Sequence, residues 1–243
     1  MSLLGAISLT SWTQFRFGPG LELLETYVSD VENDCAASVS AFEVSDEGFE
    51  RQIGVDEQTG EAINEWVQVH KGLRGDSWSL PHVFRDYFPT LKRASALAML
   101  CSFVEHELNI LCEDIQKYLK IGIALGDIHG AGIDRACRYL KVVGNLTLQP
   151  EHVAWTQRAD IFKIRNAMIH AGGRAGKPDV LKIIQSNKFL SIQGREIAIS
   201  EGYLAQCISV FSNVGDIVNE GLRNRFEKEI AAKRNAAMKG WHS

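Results

Sequence analysis

Residues 161–173 read Ile161-Phe162-Lys163-Ile164-Arg165-Asn166-Ala167-Met168-Ile169-His170-Ala171-Gly172-Gly173. Apolar residues recur here at helical steps, and the two glycines mark where such a helix stops, because glycine takes the left-handed cap without steric cost. Pro150-Glu151 suits its first turn. On a wheel turning about 100° per residue, Trp155, Phe162 and Ile169 fall together, with Ile161, Ile164 and Met168 beside them. That is a broad apolar sector, the signature of a helix packed on a core. Arg165 lies in the middle of it, whereas Lys163 and Asp160 take the wetter side. A cation on a buried face is costly unless it is paired or turned to a polar cleft.

The same stretch is where chemistry concentrates. Arginine is always charged and offers phosphate oxygens a planar fork of donors. Histidine changes charge near neutrality, so it can accept a proton and return it. A histidine just before Ala-Gly-Gly also suits a helix end on structural grounds alone, since a cation there meets the negative end of the dipole. Asn166 and His170 are four apart and share a helix face. Arg165 and His170 are five apart, which separates them by about 140°. Both can therefore serve one phosphate only if His170 swings round at a frayed helix end, or if two copies of the chain meet.

Outward from this helix, the clearest element begins at Phe88-Pro89-Thr90, with Thr90 as its expected N-cap, and runs to about Lys120. Ala94, Ala98, Cys101, Glu105, Leu108, Cys112, Ile115 and Leu119 form a seam along it. Glu105 interrupts that seam, and Arg165 is the natural partner for its carboxylate. An earlier helix is expected over about Leu21–Ala41, behind Gly18-Pro19-Gly20 as a breaker. Residues 43–64 read as loop or irregular chain, with a short strand around Trp66, Val67 and Val69. Glycines at 122, 126, 130 and 132 punctuate a connection to a short helix, Ile133–Val143. Phe189–Ile192 and Glu196–Ile199 alternate around Gln193-Gly194-Arg195 as a small β-hairpin, and a final helix over about Gly202–Ala237 ends in a mixed tail with Arg223, Arg225, Lys228, Lys233 and Arg234.

The 243 residues suffice for one well-filled core, and the 45% hydrophobic and 23% charged residues are ordinary for a soluble globular chain. No apolar run suggests a membrane span, and the first residues lack a basic leader. Five cysteines without a C-x-x-C pair suggest reduced core thiols in a cytoplasmic protein, and neither they nor the seven histidines cluster at zinc-ligand spacing. No metal or other cofactor is expected. A net charge of −4 argues against a generic nucleic-acid coat, and any RNA contact would need a local basic groove. Arg174 and Lys177 in Gly172-Gly173-Arg174-Ala175-Gly176-Lys177-Pro178 could supply one, as could Arg158. That glycine-rich turn lacks the spacer and the Ser/Thr of a phosphate-binding P-loop, and Ser77, Ser79 and His82 lack a nucleophile elbow.

Arg165-Asn166-Ala167-Met168-Ile169-His170 resembles the R-N-x-x-x-H motif of the HEPN superfamily. Tyr87-Phe88-Pro89-Thr90-Leu91-Lys92-Arg93-Ala94 and Ser102-Phe103-Val104-Glu105-His106-Glu107-Leu108-Asn109 resemble the first core helix of such a domain, and the likeness spans roughly residues 85–225. The resemblance implies a bundle of four to five helices; with the hairpin read from its alternation, the expected fold is mainly α with a small β-hairpin insertion, occupying residues 85–239. Residues 1–84 would be an N-terminal helix and irregular extension packed on the same core. It further implies a homodimer with facing motif helices. Such a dimer would be a metal-independent endoribonuclease in which Arg165, Asn166 and His170 are catalytic and Glu105 supports them. RNA would be its substrate and a cognate antitoxin protein its partner, in toxin–antitoxin or phage defence. The alternative is a catalytically inactive HEPN-like module that binds RNA, nucleotide or a protein through the same cleft.

Overall fold

The structure, a computed structural model, describes residues 3–239. It is built around one long helix. This helix, α3 (Phe88–Leu119), buries Leu97, Leu100, Val104, Leu108, Leu111 and Ile115 completely. Its apolar residues lie on more than one face, so it occupies the centre rather than the surface. Around it pack α1 (Leu3–Thr10), α2 (Gly18–Glu43), α4 (Gly132–Val142), α5 (Val153–His170) and α7 (Tyr203–Lys239). Among the described residues, His82–Leu119 is the one stretch long and apolar enough to cross a membrane by composition. In this fold its apolar seam packs into the core, while Leu91 and Met99 stay exposed. The mainly α architecture is as expected.

The N-terminal segment belongs to the same core, to which it contributes Leu9, Trp12, Phe17, Leu21 and Val28. Gly18-Pro19-Gly20 does not break the chain. A π-helical turn, Thr13–Phe17, runs directly into α2, whose first turn accommodates Pro19 because no amide there needs a helical partner. Gly20 instead lets α2 approach α3, since a Cβ on it would lie 2.5 Å from the Phe103 ring.

Residues 43–64 are not irregular. β1 (Gly48–Val55) and β2 (Ala62–His70) pair antiparallel with Phe49 opposite Val67, and a bulge falls between Gln52 and Gly54. The expected short strand lies within β2, and β3 (Leu73–Arg74) extends the sheet. Within β1 and β2 only Val67 and His70 are buried. A small second core of Phe42, Leu80, Val83 and Phe84 anchors the root of this sheet. Thr90 is not an N-cap, because a π-helical segment, His82–Tyr87, already leads into α3. Its hydroxyl instead accepts a hydrogen bond from the Ile199 N–H at 3.4 Å.

Toward the C-terminus, α5 starts three residues later than Pro150. His152 is its N-cap, with Nδ1 accepting from the Ala154 N–H at 3.2 Å. The other end stops as expected: Gly172 and Gly173 take φ of 60° and 77°, and the N–H groups of Ala171 and Gly173 both donate to the Ala167 carbonyl. A further helix, α6 (Pro178–Ser186), follows, which the periodicity did not announce. Then comes the expected hairpin, β4 (Leu190–Gln193) and β5 (Glu196–Ile199), with Gln193 opposite Glu196. The Ile197 N–H donates to the Gly173 carbonyl at 2.8 Å, which staples this hairpin to the end of α5. Helix α7 closes the bundle; of its expected mixed tail, Arg223 is exposed and Arg225 half-buried, while Lys228, Lys233 and Arg234 lie outside the described side chains.

Candidate active site

Helix α5 turns Ala154, Arg158, Ile161, Ile164 and Ala167 inward at steps of three and four. This stripe is narrower than the expected sector. Ile169 falls outside it and is 47% exposed, whereas Phe162 and Met168 are half-buried against the core. Arg165 stands at the edge of the stripe, also half-buried. Its Nη1 donates to Asn166 Oδ1 at 2.9 Å, and its Nε is buried without a hydrogen-bond partner. An unsatisfied buried donor is rare enough to need a reason. The Nε atoms of Arg135 and Arg158 are buried without partners in the same way, so this one does not by itself mark a binding site.

Asn166 and His170 are exposed on the next face and line a cleft of about 680 Å³ between α5, its glycine turn and the start of α6. Lys163, Arg174 and Lys177 complete its charged walls, against a single carboxylate, Asp179. Lys163 is held loosely, 3.5 Å from Asp160 and 3.8 Å from Asp179. Arg174 and Lys177 have no ion pair among the described residues. The structure therefore brings Asn166, His170, Arg174 and Lys177 into one cleft. Arg165 reaches it through its bond to Asn166. Lys163 was not among the sequence candidates, although its spacing of three and seven from Asn166 and His170 puts all three on one helical face.

Glu105 and Arg165 make no direct ion pair among the described residues. Both stand near Cys101 on α3, where the Arg165 charge draws the thiol pKa down and the Glu105 charge raises it. Burial outweighs both and pushes it up to about 12. The Glu105 carboxylate meets the start of α4 instead: a Cβ on Gly132 would lie 3.4 Å from its Oε1. The positive end of a helix dipole is a favourable neighbour for that charge. Glu105 thus answers to α4 first.

Arg158 stands outside this cleft. It is 8% exposed, donates to Asp134 Oδ1 at 2.6 Å, and lies 5.8 Å from the centre of the Trp155 ring. Its position on the inward stripe, one turn before Ile161, makes it a strut between α5 and α4. Among the described residues no group of three or more His, Cys, Asp or Glu side chains is placed to hold a metal ion.

No family model, no curated protein and no solved structure matches the chain. The cleft has to be read from its own chemistry. It offers an exposed imidazole, a carboxamide tied to a guanidinium, and three further cations, a set suited to binding an anionic ester and moving a proton beside it.

Proposed function

We propose that the chain is a HEPN-like endoribonuclease, cytoplasmic and homodimeric, acting on RNA without a metal in a toxin–antitoxin or phage-defence setting with a cognate antitoxin. The observation that carries this reading is the cleft in which His170 and Asn166 stand among Lys163, Arg174 and Lys177, with Arg165 bonded to Asn166 behind them. A ribose 2′-hydroxyl attacks the neighbouring phosphorus while the His170 imidazole takes its proton. The P–O5′ bond breaks, and the proton passes to the departing O5′. The products are a 2′,3′-cyclic phosphate and a 5′-hydroxyl. Arg165 neutralises the charge that builds on the phosphorane oxygens through the guanidinium end that reaches Asn166. Arg174 and Lys177 hold flanking phosphates.

Arg165 and His170 still diverge on a single helix, and exposed Ile169 lies beside the motif. A second copy facing this helix would supply the complementary groups, since a two-fold contact pairs a patch with itself. The fact that Arg165 does not itself line the cleft is what favours the second reading, a module that binds RNA or nucleotide without cutting it. Incubation of the purified chain with RNA in EDTA separates the two. Cleavage leaving cyclic-phosphate and hydroxyl ends supports the nuclease, and RNA retention without cleavage supports the binding module.

A further inference from the structure

A second cavity, of about 480 Å³, opens where the chain after β3, the π-helical segment His82–Tyr87 and strand β5 meet. Trp78, Tyr87 and Phe88 supply aromatic wall, and Ser79, His82 and Glu196 supply its polar groups. We propose that this pocket binds a small organic cation, an alkylammonium head carried on an apolar body.

Three observations lead there. The aromatic wall is held in place from below. Phe88 stands edge-on to the fully buried Phe84 with ring centres 5.3 Å apart, and Tyr87 tilts against Phe88 at 6.1 Å. Trp78 and Tyr87 nevertheless leave 56% and 44% of their surface to solvent, a wide display of ring around the anchored Phe88. The lining carries one carboxylate, Glu196, whose backbone bridges to that of Arg174. Glu196 lines the pocket without an ion pair among the described residues, and no lysine or arginine lines it. The nearest cation on the segment, Arg85, is turned away to Glu43 at 3.4 Å and to the face of Phe42. His82 is itself matched by Asp86 at 3.6 Å. Ring faces carry the negative part of the aromatic quadrupole, so three rings and a carboxylate attract an organic cation and repel a phosphate. The pocket is the chemical opposite of the motif cleft, and the inference does not rest on the ribonuclease reading.

Titration calorimetry of the full chain with choline, and with its uncharged carbon isostere dimethylbutanol, tests this. Saturable choline binding is expected, with the isostere at least about tenfold weaker and with Trp78→Ala and Glu196→Gln each about tenfold weaker, the loss of one desolvated cation–π or charge contact. Trp78→Phe keeps a ring and should keep most of the affinity. Both positions are exposed, so thermal unfolding of the variants should match the parent. Absence of saturable choline binding by the parent chain overturns the proposal. So does equal binding of the isostere, which would mark a merely apolar pocket, or unchanged affinity in both variants, which would place the cation elsewhere.

Discussion

At the scale of single residues, the site depends on the Arg165–Asn166 bond. A neighbouring pair on a helix does not share a face, so a guanidinium reaching the next residue's carboxamide is held by something other than helix geometry. On the proposed mechanism Asn166→Ala releases Arg165 from the cleft side. A lost charge-assisted hydrogen bond of about 1.5–3 kcal/mol should lower the single-turnover cleavage rate roughly tenfold to hundredfold. Because Asn166 is exposed, the melting temperature should stay put. Arg158 is the opposite case. Arg158→Ala should destabilise the fold by about 2 kcal/mol, through the lost Asp134 bond and the packing on Trp155, and leave RNA affinity unchanged. Denaturant unfolding beside an RNA titration distinguishes the two roles. Weaker RNA binding with intact stability would return Arg158 to the cleft.

Among the elements, the long helices were legible in the sequence and the sheet was not. α3 shows itself through its seam, and the end of α5 through Gly172-Gly173, because both features are local. The β1–β2 hairpin has almost no buried face, so the alternation that normally betrays a strand carried little weight against the glycines at 48, 54 and 60. Gly18-Pro19-Gly20 misled for a related reason: the propensities of glycine and proline are local, whereas the need for close approach to Phe103 is tertiary. In the site, the spacing of Asn166 and His170 was readable. The fate of Arg158 depended on Asp134 in another helix, and that of Glu105 on α4. Gly215 tests the packing logic. A Cβ there would stand 2.5 Å from the Phe17 ring, which is itself stacked on Trp12 and Phe103. Gly215→Ala should cost about 1–3 kcal/mol by overpacking, read as a lower denaturant midpoint. An unchanged midpoint would mean that α7 and the N-terminal π-helical turn slide freely over one another.

For the whole molecule, the buried thiols tie stability to alkaline pH. Burial pushes the Cys101 pKa from 9.0 to about 12 and the Cys137 pKa to about 11, and it raises Cys112 and Cys207 as well. The folded chain therefore keeps protons that the unfolded chain gives up above pH 9.0. Proton uptake is larger in the folded state in that range, so stability must fall as pH rises. Thermal unfolding should be insensitive to these groups below pH 9.0 and decline between there and about 12. Alkylation by a thiol reagent at neutral pH should be slow until the chain is unfolded. Rapid labelling of Cys101 in the native protein would contradict the closed packing of the main core.

The central claim is that Arg165 and His170 act on one RNA phosphodiester, and a single-turnover cleavage rate in EDTA tests it most directly. The parent chain should cut. His170→Ala and Arg165→Ala should each lose cleavage by at least about a hundredfold, the usual yield of one acid–base or oxyanion group. Both should keep the unfolding midpoint of the parent. Cleavage by His170→Ala at the parental rate would contradict the account.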